Sequence, residues 1–230
     1  MIEMINPGRL ARQNFFKALL PYLEKQPGVI LRQIKKDFPQ VGKLDKQLDA
    51  YIAAGYVKRE DKRYYLNLPF LTDLDNLTLG QEVFLASDSP LYPALLDLTY
   101  RTSLSNETNQ VVLVEETDFK QEALSLYNYF YRLANALPLS SRQEGLYQLL
   151  GDVHPQYALK YMTTFLLKFL RKDLVKQKRR DIFVDALLEL GYLEKVDDVT
   201  YALKMELDHE NLVFKANQNQ LWFVKADFLL

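Results

Sequence analysis

Seven side chains between positions 43 and 63 have the types and the spacing of a nucleic-acid contact. Three lie in a stretch of helical periodicity and four in a following segment of β-strand character: Lys43, Lys46 and Gln47, then Lys58, Arg59, Lys62 and Arg63. Lys and Arg bind phosphate oxygens, and Lys or Gln on a helix can also donate to base edges in the major groove. The pattern therefore predicts contact with duplex DNA. The alternative is that these are ordinary solvated charges, which soluble domains carry on their outer helix faces.

The local sequence places these side chains on a helix and a β-hairpin. Apolar residues recur at helical spacing over residues 44–52, and Gly55 follows where a helix C-terminus favours a left-handed residue. Two β-rich runs around a polar turn, residues 56–66, predict the hairpin. Two further apolar stripes precede them, in residues 10–23 and 30–38. Three helices followed by a hairpin resemble a winged-helix domain, whose second motif helix lies in the major groove.

The same pattern returns 136 positions later. Gly55-Tyr56 matches Gly191-Tyr192 without a gap, and the apolar spacing around both pairs agrees. Other identical pairs include Lys36/Lys172, Asp37/Asp173, Asp45/Asp181, Asp49/Asp185, Ala50/Ala186, Asp61/Asp197 and Tyr65/Tyr201. An ungapped match of this length predicts a duplicated structural unit.

The second copy carries different chemistry on the helix that corresponds to residues 44–52. Ile182 and Phe183 replace Lys46 and Gln47, and we expect both to face outward. An outward apolar pair favours contact with another domain or another chain over contact with phosphate. A short basic run before that helix, residues 176–180, has three readings: a nucleic-acid contact, a contact with an acidic segment, or a solvated turn.

Charge divides the chain into three parts. Residues 1–68 carry 13 Lys/Arg against 7 Asp/Glu, residues 69–155 carry 4 against 12, and residues 156–230 carry 12 against 11. We therefore predict a basic winged-helix-like domain, an acidic middle domain of mixed α/β character, and a second winged-helix-like domain ending in a β-hairpin. The fold class is α+β. Such asymmetry indicates separate partners for separate parts, or a basic and an acidic domain that pack on each other.

The sequence shows no arrangement of residues typical of a catalytic, metal or cofactor site, and an enzyme is the least favoured class. There is no Cys, the two His are far apart, and no glycine-rich loop could hold phosphates. Asp88 and Ser89 follow a predicted strand and either line a cleft or cap a helix, and capping is favoured. Glu115 and Glu116 are adjacent in a predicted strand and should face opposite sides. We predict no catalytic, metal or cofactor site.

The composition also bears on where the protein works. No window approaches the length of a membrane-spanning apolar run, and the start lacks the apolar core of a signal peptide. Together with the absence of Cys, this predicts a cytoplasmic protein without membrane contact.

Two segments carry a resemblance over the rest of the chain: NETNQVVLVEETDF, which starts at Asn106, and YALKYMTTFLLKFLRKDLVKQKRRDIFVDALLELGYLE, which starts at Tyr157. With them the chain resembles a small family of uncharacterised proteins from streptococci and related lactic-acid bacteria. That resemblance implies neither an activity nor any site residues.

Two functions remain open from the sequence. The first is a non-enzymatic, DNA-associated regulator that binds duplex DNA through its N-terminal domain and contacts a partner, or itself, through Ile182 and Phe183. The alternative is an assembly module built on degenerate winged helices that binds no nucleic acid.

Overall fold

The computed structural model describes residues 1–216 and shows a mixed α and β protein with several small sheets. The chain divides into two compact units, Met1–Asp97 and Leu98–Leu230. The second half of the predicted C-terminal hairpin lies outside the described residues.

The N-terminal unit combines helices with two small sheets. Its helices are α1 (Asn14–Lys25), α2 (Leu31–Asp37), α3 (Leu44–Ala53) and α4 (Leu91–Leu96). Its strands are β1 (Ile2–Ile5), β2 (Val29–Ile30), β3 (Val57–Glu60), β4 (Arg63–Leu66) and β5 (Val83–Ala86). One sheet has the order β2-β4-β3, and the other pairs β1 with β5 antiparallel.

The core of this unit lies between α1, α3 and the β2-β4-β3 sheet. Phe16 of α1 and Tyr51 of α3 are fully buried, with ring centroids 5.0 Å apart. Apolar residues at helical spacing on α1 and α3 face inward, which leaves the polar positions of both helices for solvent. The burial of these stripes fixes the rotation of α3 about its axis, and with it the positions of the basic residues.

A two-residue turn joins β3 to β4. Asp61 and Lys62 both have positive φ, 48° and 63°. Two successive left-handed residues form the type I′ turn, whose twist matches that of antiparallel strands. Val57 and Tyr64 point to the core from this hairpin, while its tip is exposed.

The C-terminal unit is larger and also mixed. Its helices are α5 (Leu126–Ala134), α6 (Glu144–Leu150), α7 (Pro155–Leu166), a 3₁₀ helix (Leu167–Leu170) and α8 (Ile182–Glu189). Its strands are β6 (Thr99–Asn106), β7 (Asn109–Asp118), β8 (Leu174–Lys176), β9 (Leu193–Lys195), β10 (Thr200–Leu203), β11 (Glu206–Asp208) and β12 (Val213–Lys215). The sheets have the orders β11-β12-β7-β6 and β8-β10-β9.

The division into units differs from the three predicted domains, 1–68, 69–155 and 156–230. Strand β5 pairs with β1, so residues beyond position 68 complete the N-terminal unit. Strand β7 pairs with β12, and α7 packs on β6, so the predicted middle and C-terminal segments share one core. Sheet pairing between distant segments decides both boundaries, and local composition carries no information about it.

Candidate nucleic-acid interface

Lys43 and Lys46 are exposed at the start of helix α3. Lys43 is the N-cap residue in a left-handed conformation, with φ 54°, and Lys46 lies on the outer side of the first turn. The inner side is formed by Leu44, Leu48 and Tyr51, which are buried. No ion pair to Lys43 or Lys46 is found among residues 1–216. Both charges are available to an anionic partner.

Gln47 is not free for such a contact, which corrects its expected outward position. It is half-buried, and its side-chain Nε2 donates to the carbonyl oxygen of Gly42 over 2.9 Å. At 100° per residue, Gln47 is turned away from Lys46 towards the buried face. This hydrogen bond joins the first turn of α3 to Gly42, the residue before its N-cap.

The outer side of α3 also carries carboxylates, although residues 1–68 have a positive net charge. Asp45 and Asp49 are both exposed. The carboxylate of Asp45 pairs with Lys35 Nζ of α2 over 2.7 Å. Asp49 lies one turn after Lys46 on the exposed side. The exposed surface of α3 is therefore close to neutral.

Two of the four hairpin cations already have partners. Lys58 Nζ lies 3.2 Å from a Glu60 carboxylate oxygen and 5.6 Å from the centre of the Tyr65 ring. Arg63 Nη1 donates to the carbonyl oxygen of Gly28 over 2.9 Å, which ties β4 to the start of β2. These contacts hold the hairpin and reduce the charge that Lys58 and Arg63 can offer.

Arg59 and Lys62 remain available near the hairpin tip. The Arg59 guanidinium lies 5.6 Å from the centre of the Tyr64 ring, and Lys62 is a turn residue. Both are exposed, and neither forms an ion pair within the described part of the chain. The candidate interface therefore reduces to Lys43, Lys46, Arg59 and Lys62, four cations on two elements that pack side by side.

The two residues of the predicted protein contact, Ile182 and Phe183, differ in exposure. Ile182 is 45% exposed at the first position of α8, whereas Phe183 is 8% exposed and belongs to the core. The Phe183 ring stacks on Tyr161 of α7 with centroids 5.1 Å apart. The expectation that Phe183 faces outward is therefore wrong, because α7 covers that side of α8. Tyr157 and Tyr161 instead expose their own rings beside it.

Sequence reasoning missed a buried acid, Glu115, in the C-terminal unit. Its carboxylate accepts the backbone N–H groups of Leu126 and Tyr127 over 2.8 Å each, at the N-terminus of α5, and the hydroxyl of Tyr192. Burial raises the pKa of the Glu115 carboxyl to about 7, and the two backbone donors oppose that rise. Side-chain alternation along β7 predicts that Glu115 and Glu116 face opposite sides of the sheet, as they do. The alternation does not indicate which of the two sides is buried.

Ser89, a candidate at the end of a predicted strand, contacts the backbone at the start of a helix. Its Oγ accepts the backbone N–H of Leu91, the first residue of α4, whose N-cap residue is Pro90. No group of three His, Asp or Glu side chains within residues 1–216 could hold a metal ion. In that same range no helix is long and apolar enough to cross a membrane.

Comparison with known proteins identifies the N-terminal unit only. Residues 2–98 match the model of a family described as a domain of unknown function, DUF1803. This range coincides with the first compact unit, Met1–Asp97, so the family domain and the structural unit are the same part of the chain. No curated protein and no solved structure matches the chain.

Proposed function

We propose that the protein is a non-enzymatic, DNA-associated regulator whose N-terminal unit is a winged-helix domain that binds duplex DNA. The observation that carries the proposal is the set of four exposed cations without ion-pair partners on α3 and on the β3–β4 hairpin, within the described part of the chain. Phosphate binding requires such charges on elements of fixed geometry. The burial of the α3 stripe and the type I′ turn fix both elements.

The order of elements supports the winged-helix assignment. After α1, the chain forms β2, α2, α3 and the β3–β4 hairpin, and the last strand is central in the order β2-β4-β3. A helix, a second helix at a short turn and a hairpin are the parts of a helix-turn-helix with a wing.

The proposed duplication has similar support. Helix α8 and strands β9 and β10 follow α3, β3 and β4 at a spacing of 136 within one or two residues, and β10 is again the central strand. The third strand differs, because β2 precedes α2 whereas β8 follows the 3₁₀ helix. The proposed second copy thus keeps the helix and the hairpin and builds the rest of its sheet differently.

Fluorescence anisotropy with a labelled random duplex tests DNA binding. We expect salt-sensitive binding by the wild-type protein, and at least a tenfold loss in the variant Arg59→Glu/Lys62→Glu. The matched control is Lys17→Glu/Lys25→Glu, which makes the same charge change on the exposed side of α1. Equal losses of affinity in both variants would show that net charge alone explains the effect. An absence of binding at low salt in the folded protein would refute the proposal.

A second candidate function, protein assembly, is favoured by the exposed surface of the C-terminal unit. Tyr157, Tyr161 and Ile182 are 51%, 40% and 45% exposed on two helices in contact. Aromatic side chains such as those of the two tyrosines are enriched at protein interfaces. Sedimentation velocity of the wild type and of Ile182→Asp tests self-association, which the substitution should abolish. Glu189→Gln on the same helix is the control.

A further inference from the structure

We infer that the N-terminal unit holds duplex DNA by its phosphates and does not read the base sequence. This inference rests on the proposed function and specifies its partner as duplex DNA of any sequence. It follows from the side chains on the exposed face of α3 and from where the available cations lie.

The exposed side of α3 lacks the side chains that distinguish base pairs. Base recognition in the major groove depends mainly on Arg, Lys, Asn and Gln, which donate to purine edges. On α3 the one amide, Gln47, is bonded to Gly42, and the exposed positions after Lys46 are Asp49 and Ala53. Lys46 alone could reach a base edge from the body of the helix.

Asp49 also opposes a close approach of α3 to DNA. It is exposed, and no ion pair to it is found within residues 1–216, so its charge faces any anion near the outer side of the helix. A carboxylate can accept from cytosine, but it must first pass between two phosphate backbones. The helix that would have to read sequence therefore carries a repulsive charge at the middle of its exposed side.

The cations that remain lie at the start of α3 and at the hairpin tip, not along the helix. Lys43 precedes α3, and Arg59 and Lys62 belong to the hairpin. Isolated Lys and Arg at element ends suit phosphate oxygens, which recur at every nucleotide regardless of sequence. If all four cations bind phosphates, the logarithm of the affinity should fall with the logarithm of the salt concentration with a slope of about −3 to −4.

The experiment combines a selection with a salt titration on the full-length protein. Repeated binding and amplification of a random duplex pool should enrich no sequence motif, and duplexes of different composition should bind within about threefold of each other. Their salt slopes should agree, while the single strand of the same length should bind several-fold more weakly.

The variant Asp49→Asn gives the inference a second, independent readout. Removal of the repulsive carboxylate should strengthen binding roughly 2- to 5-fold for every duplex at low salt. Glu24→Gln, which neutralises an exposed carboxylate on α1, should leave the affinity unchanged.

Each outcome separates the inference from the proposed function. Two outcomes would show that α3 reads bases: enrichment of a sequence motif, or an Asp49→Asn effect confined to particular sequences. Either would overturn the inference and leave the proposal of DNA binding intact. Equal affinity for the single strand would overturn the assignment of a duplex partner. If no duplex showed salt-sensitive binding, the proposed function itself would be refuted.

Discussion

The buried carboxyl of Glu115 should make the stability of the C-terminal unit fall as the pH rises through the weakly acidic range. Its pKa is about 7 in the folded protein and has an ordinary value of 4.5 when the chain is unfolded. An acid with a raised folded pKa binds its proton more tightly in the native state. Its contribution to stability is therefore fully present below pH 4.5 and is lost as the pH rises towards 7.

The size of the effect follows from the difference between the two pKa values. At 1.36 kcal/mol for each pKa unit, the unfolding free energy should fall by roughly 3 kcal/mol between about pH 4.5 and about pH 7.5. Three other carboxyls, those of Asp37, Asp197 and Asp208, have lowered pKa values because hydrogen bonds favour their charged forms. Stability that depends on them is lost only as the pH falls below their ordinary value of 3.8, outside this window.

Urea denaturation of wild type, Glu115→Gln and Glu116→Gln at intervals between about pH 4.5 and about pH 8 measures the effect. The carboxamide of the Glu115→Gln variant cannot ionise, so the difference in unfolding free energy between wild type and this variant should shift by about 3 kcal/mol across the window. Glu116 is the neighbouring, half-exposed acid on β7, and its substitution should show little pH dependence.

A constant difference between wild type and Glu115→Gln would refute the reasoning. It would mean that the three donors around Glu115, two backbone N–H groups and the Tyr192 hydroxyl, keep the carboxylate ionised in the folded state. Carboxyl carbon NMR would show this directly, as a Glu115 resonance that titrates at or below the ordinary value of 4.5.

Three substitutions should lower stability, one through backbone strain and two through lost hydrogen bonds. Gly28→Ala should cost about 1–2 kcal/mol in thermal or urea unfolding, since φ is +81° and the new Cβ would lie 3.1 Å from the Tyr65 hydroxyl oxygen. Thr163→Val should cost about 1–3 kcal/mol, because two asparagine carboxamides of the β6–β7 turn lose their acceptor, while Thr163→Ser should retain most of that stability. Arg132→Met should cost about 3 kcal/mol or more, because three backbone carbonyls each lose a donor, and Arg132→Lys should recover only part of it. Equal stability of wild type and variant would contradict the strain argued for Gly28, or the contribution argued for the hydrogen bonds of Thr163 or Arg132.

Local patterns predicted the parts of the fold that depend on neighbours in sequence. The apolar spacing over residues 44–52 and Gly55 placed α3, which the structure gives as Leu44–Ala53, and the polar turn placed the β3–β4 hairpin. Periodic burial and left-handed turn residues act over a few positions, so a single sequence displays them. The pairing of β1 with β5 and of β7 with β12 joins segments that lie about 80 to 100 residues apart, and no local signal specifies it.

Local sequence also cannot fully predict which of the predicted site residues are free to bind a partner. The ion pair of Lys58 with Glu60 spans two positions and could be read from the sequence. Arg63 donates to the carbonyl of Gly28, 35 residues away, and Glu115 accepts the hydroxyl of a tyrosine 77 residues away. Contacts of this range cannot be read from local sequence, and one of them removes Arg63 from the predicted site. Gln47 and Lys58 are removed by partners only five and two positions away.

Two predicted helix faces contain the same local error. The sequence pattern predicts Lys46 and Gln47 on the outer face of one helix, and Ile182 and Phe183 on the outer face of another. Adjacent helical residues are turned about 100° apart, so a pair cannot share the centre of a narrow exposed side. In the structure Lys46 and Ile182 are exposed, whereas Gln47 is half-buried and Phe183 is buried. The positions that the proposed duplication pairs therefore differ in exposure in the same sense in both helices.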